Sequence, residues 1–356
     1  MRRIKIYYPG ILATQGEQRY IIADGLRTNP FVKLVYSDNE ADYCINYHDC
    51  KNPARRLIWI EYYDGPNRYF RNHNYFLYFK RSSVVKASEN YYYSKKVQER
   101  KVIPISYALK LRTDKFFANY HQKNYDVVCL FDTVCRRKIQ HYHRAKIAKF
   151  LSKIRNEAPF RQYKFYVGII GTKGSRGRNS INPYYYTMLR RAKIVVTCNP
   201  SSWEGDYRFF EAFSGGSLVF VDRMFTPIKN SFIHKKHCIY YHRNNLQNLK
   251  NSLIYYLRHP GEASKIASSG HHYVLRHHRP KHRIQEVLDE IAYKEKHGRI
   301  SDMNSFPKTQ ALQFDGSSDP KFHEPGVEIV PTNSSTRRRV VRIYPGVLPN
   351  NKIIFR

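Results

Sequence analysis

Short apolar runs alternate along the chain with stretches of helical spacing, so the pattern predicts strands joined by helices. Ile4 to Tyr8 is a predicted strand ending in Pro9-Gly10, Glu17 to Leu26 has helical character, and Phe31 to Tyr36 is a second strand. Tyr43 to Tyr47, Leu57 to Glu61 and Tyr75 to Phe79 are further strands, separated by turns such as Asp64-Gly65-Pro66. From Asp126 the pattern starts afresh: a strand to Phe131, a long basic helix from Arg136 to Ile154, a strand from Lys164 to Ile170 and a helix from Tyr184 to Arg191. The β-branched run Ile194 to Thr197 and the apolar run Leu218 to Val221 read as buried strands on either side of a helix from Tyr207 to Phe213. A short strand (Cys238 to Tyr241), a helix (Leu246 to Arg258) and two further helices follow.

Strands separated by crossover helices pair in parallel. The restart puts a boundary near Ser106 to Lys123, which predicts an α/β protein of two doubly wound, Rossmann-like units facing a cleft, 1–115 and 116–297. Beyond Gly298 the periodicity is lost and Ser, Asp, Pro and Gly gather, as expected for a flexible basic tail over 298–356. Within it Tyr344 to Leu348 echoes Tyr8 to Leu12.

Charge narrows the partners. Lys and Arg total 62 against 28 Asp and Glu, a formal charge of +34, which attracts polyanions: nucleic acid, anionic lipid surfaces or phosphorylated substrates. The 31 tyrosines could serve single-strand binding, but many lie in predicted strands, where they pack the sheet. The six cysteines are scattered without a C-x-x-C pair, and no apolar run approaches the ~18 residues needed to span a bilayer. A cytoplasmic protein, soluble or peripherally attached to an anionic membrane surface, is the expectation. His271, His272, His277, His278 and His282 read as a basic surface at a helix junction that gains charge below neutral pH.

The most informative segment is Lys193 to Met224. Its strand, polar loop (Asn199 to Asp206), helix and second strand aim a helix start at the carboxyl edge of a parallel sheet, where open α/β sheets bind ligands and phosphates are favoured. Arg208 in the first turn suits a diphosphate, and Glu211, one turn on, suits ribose hydroxyls. A phosphate clamp beside a carboxylate fits a nucleotide sugar. Ser202, Glu204, Asp206 and Tyr207 on the loop and helix start are further donor-binding candidates, with Gly10 at the end of the first strand. Lys173, in the basic loop Gly171 to Arg178, belongs to a segment that either cradles donor phosphates or forms a solvated connection.

At these residues, Arg208-Phe209-Phe210-Glu211-Ala212 and Gly216 before Val219-Phe220-Val221-Asp222, the sequence resembles the C-terminal half of GT-B glycosyltransferases of the group 1 type. The similarity continues through Leu257-Arg258-His259-Pro260-Gly261-Glu262, Ile266-Ala267 and Gly270, and exostosin-like transferases share a related arrangement. The resemblance implies an enzyme that moves a sugar from a nucleotide-sugar donor, held by 116–297, to a saccharide or glycoconjugate acceptor on 1–115. Many retaining GT-B enzymes carry two glutamates separated by seven residues, whereas Glu204 and Glu211 have six between them, so inversion and retention both stay open.

No Asp-x-Asp pair occurs in the chain, which argues against a divalent ion on the diphosphate and leaves no metal or other cofactor expected. For an inverting reaction Asp64 is the first candidate base, followed by Glu61 and His48; Asp64 equally suits the opening of its Asp-Gly-Pro turn. The alternatives are a basic nucleic-acid-binding protein, which does not account for Arg208 and Glu211 at a ligand edge, and an inactive GT-B scaffold.

Overall fold

The structure is a computed structural model that describes residues 3–11, 17–47, 49–50, 56–62, 74–81, 102–110, 122–132, 142–170, 183–199, 205–222, 228–241 and 245–301. The first unit holds strands β1 (Ile4–Tyr7), β2 (Val32–Val35), β3 (Tyr43–Ile45), β4 (Leu57–Glu61), β5 (Leu77–Lys80) and β6 (Val102–Pro104), with helix α1 (Glu17–Thr28) between β1 and β2. They form one sheet in the order β2-β1-β3-β4-β5-β6, and every neighbouring pair is parallel. β3 to β6 are buried at every position, as strands covered on both faces must be.

The second unit contains β7 (Tyr125–Asp132), α2 (Tyr142–Ile154), β8 (Phe165–Ile170), α3 (Pro183–Arg190), β9 (Ala192–Val196), α4 (Tyr207–Ala212), β10 (Leu218–Asp222) and β11 (Ile239–Tyr241). Its sheet runs β11-β10-β9-β7-β8, again with all pairs parallel. Helices α5 (Leu246–Arg258), α6 (Pro260–His277) and α7 (Pro280–His297) follow. Asn245 caps α5 by accepting the Asn248 amide at 3.1 Å, while Pro260 and Pro280 open α6 and α7, where a missing N–H costs nothing.

The last helix crosses back onto the first unit. Gly25 of α1 lies so close to α7 that a Cβ there would sit 2.6 Å from both the Pro280 carbonyl oxygen and Ile284 Cγ1. Asn29 donates to the Lys281 carbonyl at 3.2 Å and to Gln285 at 3.1 Å, and Tyr43 donates to Glu295 at 2.6 Å. One core therefore runs through both units, from Ile6, Ile21 and Leu26 to Phe209, Val221 and Ile284, and a second lies between the outer sheet face and α2 and α5.

His278 and His282, at the junction of α6 and α7, are not part of the exposed basic surface expected from sequence, whereas His272, earlier on α6, is exposed. His278 is fully buried, stacked on Phe232 with ring centroids 4.6 Å apart, and hydrogen-bonded to the Asn230 carbonyl at 2.8 Å. His282 accepts the Arg279 amide at Nδ1, at 3.0 Å, and closes the start of α7. Burial drives His278 well below its ordinary value and His282 down to about 4, so these two rings are neutral at neutral pH although arginines and lysines surround them.

Candidate active site

The carboxyl ends of the two sheets meet. In the second unit the strand ends are tied before the chain enters the 200–204 segment: the Asn199 amide donates to Asp222 Oδ1 at 2.6 Å, its side chain to the Asp222 carbonyl at 3.0 Å, and Tyr241 to the Thr197 carbonyl at 2.7 Å. Arg144 of α2 donates through Nε to the Cys198 carbonyl at 3.0 Å and through its guanidinium to Asp206.

Asp206 stands at the N-cap of α4, yet its carboxylate is turned to cations and makes no capping bond to the helix. Arg208 reaches the same oxygen, Oδ2, at 3.1 Å. Two guanidiniums, from α2 and α4, thus converge on one carboxylate oxygen, and all three residues are at most 4% exposed. Fixed in this way, the cations are preorganised at the sheet edge, and water screens them little.

Glu211, one turn further along α4, is also buried. Its Oε2 accepts the Tyr185 hydroxyl at 3.0 Å and its Oε1 the Tyr186 hydroxyl at 3.1 Å, so α3 sets the plane of the carboxylate. Gly216, in the left-handed region at φ 63°, ends the turn that returns the chain into β10.

From the first unit, Arg81 follows β5, donates to the Tyr62 carbonyl at 3.0 Å and reaches the Gly205 carbonyl at 2.7 Å. Tyr107 stacks on Tyr62 at 5.1 Å and on Tyr207 at 3.6 Å. Contacts between the units therefore end beside Asp206 and Arg208.

Of the donor candidates, Arg208, Glu211 and Tyr207 lie on α4 and Asp206 at its N-cap. Arg208, however, is engaged with Asp206, and Tyr207 packs against the first unit. Gly10 lies at the end of β1, where a Cβ would come within 2.5 Å of the Tyr8 ring. Glu61 is fully buried at the end of β4, ion-paired with Lys80 and hydrogen-bonded by Tyr78. Ser202, Glu204, Lys173, Asp64 and His48 lie outside the described residues, as do the Gly171 to Arg178 loop and the Tyr344 to Leu348 echo. Among the described residues no group of three His, Cys, Asp or Glu is placed to hold a metal ion.

Arg144, Tyr185 and Tyr186 join the site without standing out in the motif pattern of the sequence. Arg144 carried a signal: it lies three, four and seven residues before Ile147, Ala148 and Leu151, all buried, so a charge occupies the apolar face of α2. Tyr185 and Tyr186 could be found only by folding α3 against α4.

Residues 139–289 match the glycosyl transferase-like family. None of the curated proteins matches the sequence. Among solved structures, the chain is similar to an alpha-glucosyltransferase in complex with UDP-glucose and DNA containing an abasic site, with a TM-score of 0.52 and 10% identity over 82% of this chain and 99% of that one. It is similar in the same way to an alpha-glucosyltransferase in complex with UDP and a 13-mer DNA containing a HMU base, with a TM-score of 0.51 and 10% identity over 82% of this chain and 100% of that one. At this identity the likeness concerns the fold, two Rossmann-like halves with parallel sheets in the GT-B arrangement.

Proposed function

Because residues 139–289 match the glycosyl transferase-like family and the chain has a GT-B fold, we propose that the protein transfers a sugar from a nucleotide-sugar donor to a saccharide or glycoconjugate acceptor without a metal. The observation that carries this reading is the convergence of Arg144 and Arg208 on Asp206 at the carboxyl edge of the second sheet, with Glu211 one turn along α4. Arginines fixed at such an edge suit the diphosphate, whose charge grows as the sugar leaves. Glu211, its carboxylate oriented by two phenols, would accept the ribose hydroxyls.

The acceptor would lie against the first unit. Glu61 is committed to Lys80 and Tyr78, which leaves Asp64, three residues further on, and His48 as the candidate bases of an inverting reaction. The formal charge of +34 supports a second reading, an anionic partner for the surface, and the alpha-glucosyltransferase of like fold is held with DNA. Salt-sensitive binding to single-stranded nucleic acid without affinity for any nucleotide sugar would favour that reading.

Metal independence is tested by assaying turnover in excess chelator. Transfer persists if arginines neutralise the leaving diphosphate; complete loss that is restored by a divalent cation contradicts it.

A further inference from the structure

Between the two units lies a buried bridge that belongs to neither the donor clamp nor the acceptor residues. Arg81, 1% exposed, is held at one end by the Tyr62 carbonyl and lies over the Tyr107 ring, 4.8 Å from its centroid. At its other end it crosses to the Gly205 carbonyl at 2.7 Å. Tyr107 is the middle ring of a ladder: nearly parallel to Tyr62 at 7°, donating its hydroxyl to the Tyr62 carbonyl at 3.2 Å, and stacked on Tyr207 at 3.6 Å. Lys110 lies 5.6 Å from the Tyr207 ring and 6.0 Å from that of Tyr20, on α1.

Adhesion alone needs no guanidinium there, because apolar side chains would bury the contact without the cost of desolvating a charge. A planar guanidinium bonded to carbonyls on both sides does something else: it fixes the direction of the backbone it touches. That backbone is Gly205, and the stacked ring is Tyr207. They flank Asp206, whose carboxylate holds Arg144 and Arg208.

We propose that Arg81 and Tyr107 are positioning residues that hold the Gly205 to Arg208 segment from the first unit, so that nucleoside-diphosphate binding in the second unit depends on the two units being docked. The proposal rests on the reading of Arg208 as part of the donor site. An acceptor-side change that alters the docking would then alter donor affinity through a segment it never touches.

The test uses the full chain and the variants Arg81→Met, Arg81→Lys, Tyr107→Leu and Tyr107→Phe. Hydrogen exchange at the amides of 207–212 is measured without ligand, and the affinities for UDP, GDP and ADP by calorimetry. Arg81→Met and Tyr107→Leu are expected to speed exchange at 207–212 and to weaken the diphosphate that the wild type binds by about tenfold. Tyr107→Phe, which keeps the stack, stays within about threefold of wild type, and Arg81→Lys, which keeps the charge without the fork, falls between. A purely structural role would lower the melting temperature without changing diphosphate affinity in the folded protein. Folded Arg81→Met and Tyr107→Leu proteins with wild-type exchange and affinity overturn the proposal. If neither folds, wild-type affinity in Arg81→Lys overturns it. A wild type that binds no diphosphate overturns the donor reading instead, and the exchange measurement still decides whether the bridge orders 207–212.

Discussion

Glu211 is a buried carboxylate with one phenol on each oxygen, an arrangement that fixes its plane while leaving each oxygen a further lone pair for a ligand hydroxyl. If that hydroxyl belongs to ribose, Tyr185→Phe and Tyr186→Phe should lessen the preference for ribonucleoside over 2′-deoxyribonucleoside diphosphates, each by about 1 kcal/mol, without loss of fold. Competition titrations with the paired nucleotides measure it, and an unchanged ratio in both variants would detach the tyrosines from ribose recognition. Arg208 and Glu211 were legible because their spacing falls within a strand-loop-helix-strand pattern. The tyrosines that bind Glu211 and the second cation at Asp206 were not. The tyrosines lie on a preceding helix, and Arg144 is one cation in a basic helix until its register with Ile147, Ala148 and Leu151 is noticed.

The elements with strong periodicity appear where the sequence puts them: the helix Leu246 to Arg258 and the strand Leu57 to Glu61 agree at both ends. β6 had no such signal, since Val102–Pro104 is three residues long, ends in proline and lies at the sheet edge. The histidine-rich junction misled for another reason. A histidine in a basic stretch looks solvated until Phe232, from a distant loop, covers His278.

His234, His237 and His282 each accept a backbone amide through Nδ1, at 2.9, 3.1 and 3.0 Å, which only the neutral ring can do. Burial lowers all three from 6.5 to about 4. The unfolded chain binds these protons more readily, so the stability is fully present above pH 6.5 and is lost as pH falls from 6.5 towards 4. Thermal unfolding followed across that window should show the midpoint drop by on the order of 5 °C or more, and a flat midpoint would contradict neutral burial.

At the scale of the whole molecule, two parallel sheets present their carboxyl edges to each other, and α7 closes the structure by returning to α1 through the close pass at Gly25. The sequence shows the restart at Asp126 and hence two units. It does not show the return, because an apolar helix face does not name the surface it packs on, and the pass of Pro280 and Ile284 at Gly25 exists only in the fold. The Arg81 bridge was hidden for the same reason, as were the distances that make Asp206 a shared anchor. Among the described residues no helix is long and apolar enough to cross a membrane.

The proposed function has the second unit bind a nucleotide sugar through arginines gathered at Asp206. Calorimetric titration of a nucleotide-sugar panel into the wild type and Arg208→Ala, with circular dichroism to verify the fold, tests it most directly. Saturable binding of a nucleotide sugar by the wild type and a loss of about 2 kcal/mol in the variant are expected. Failure of the wild type to bind any member, or equal affinity in a folded Arg208→Ala protein, would contradict it.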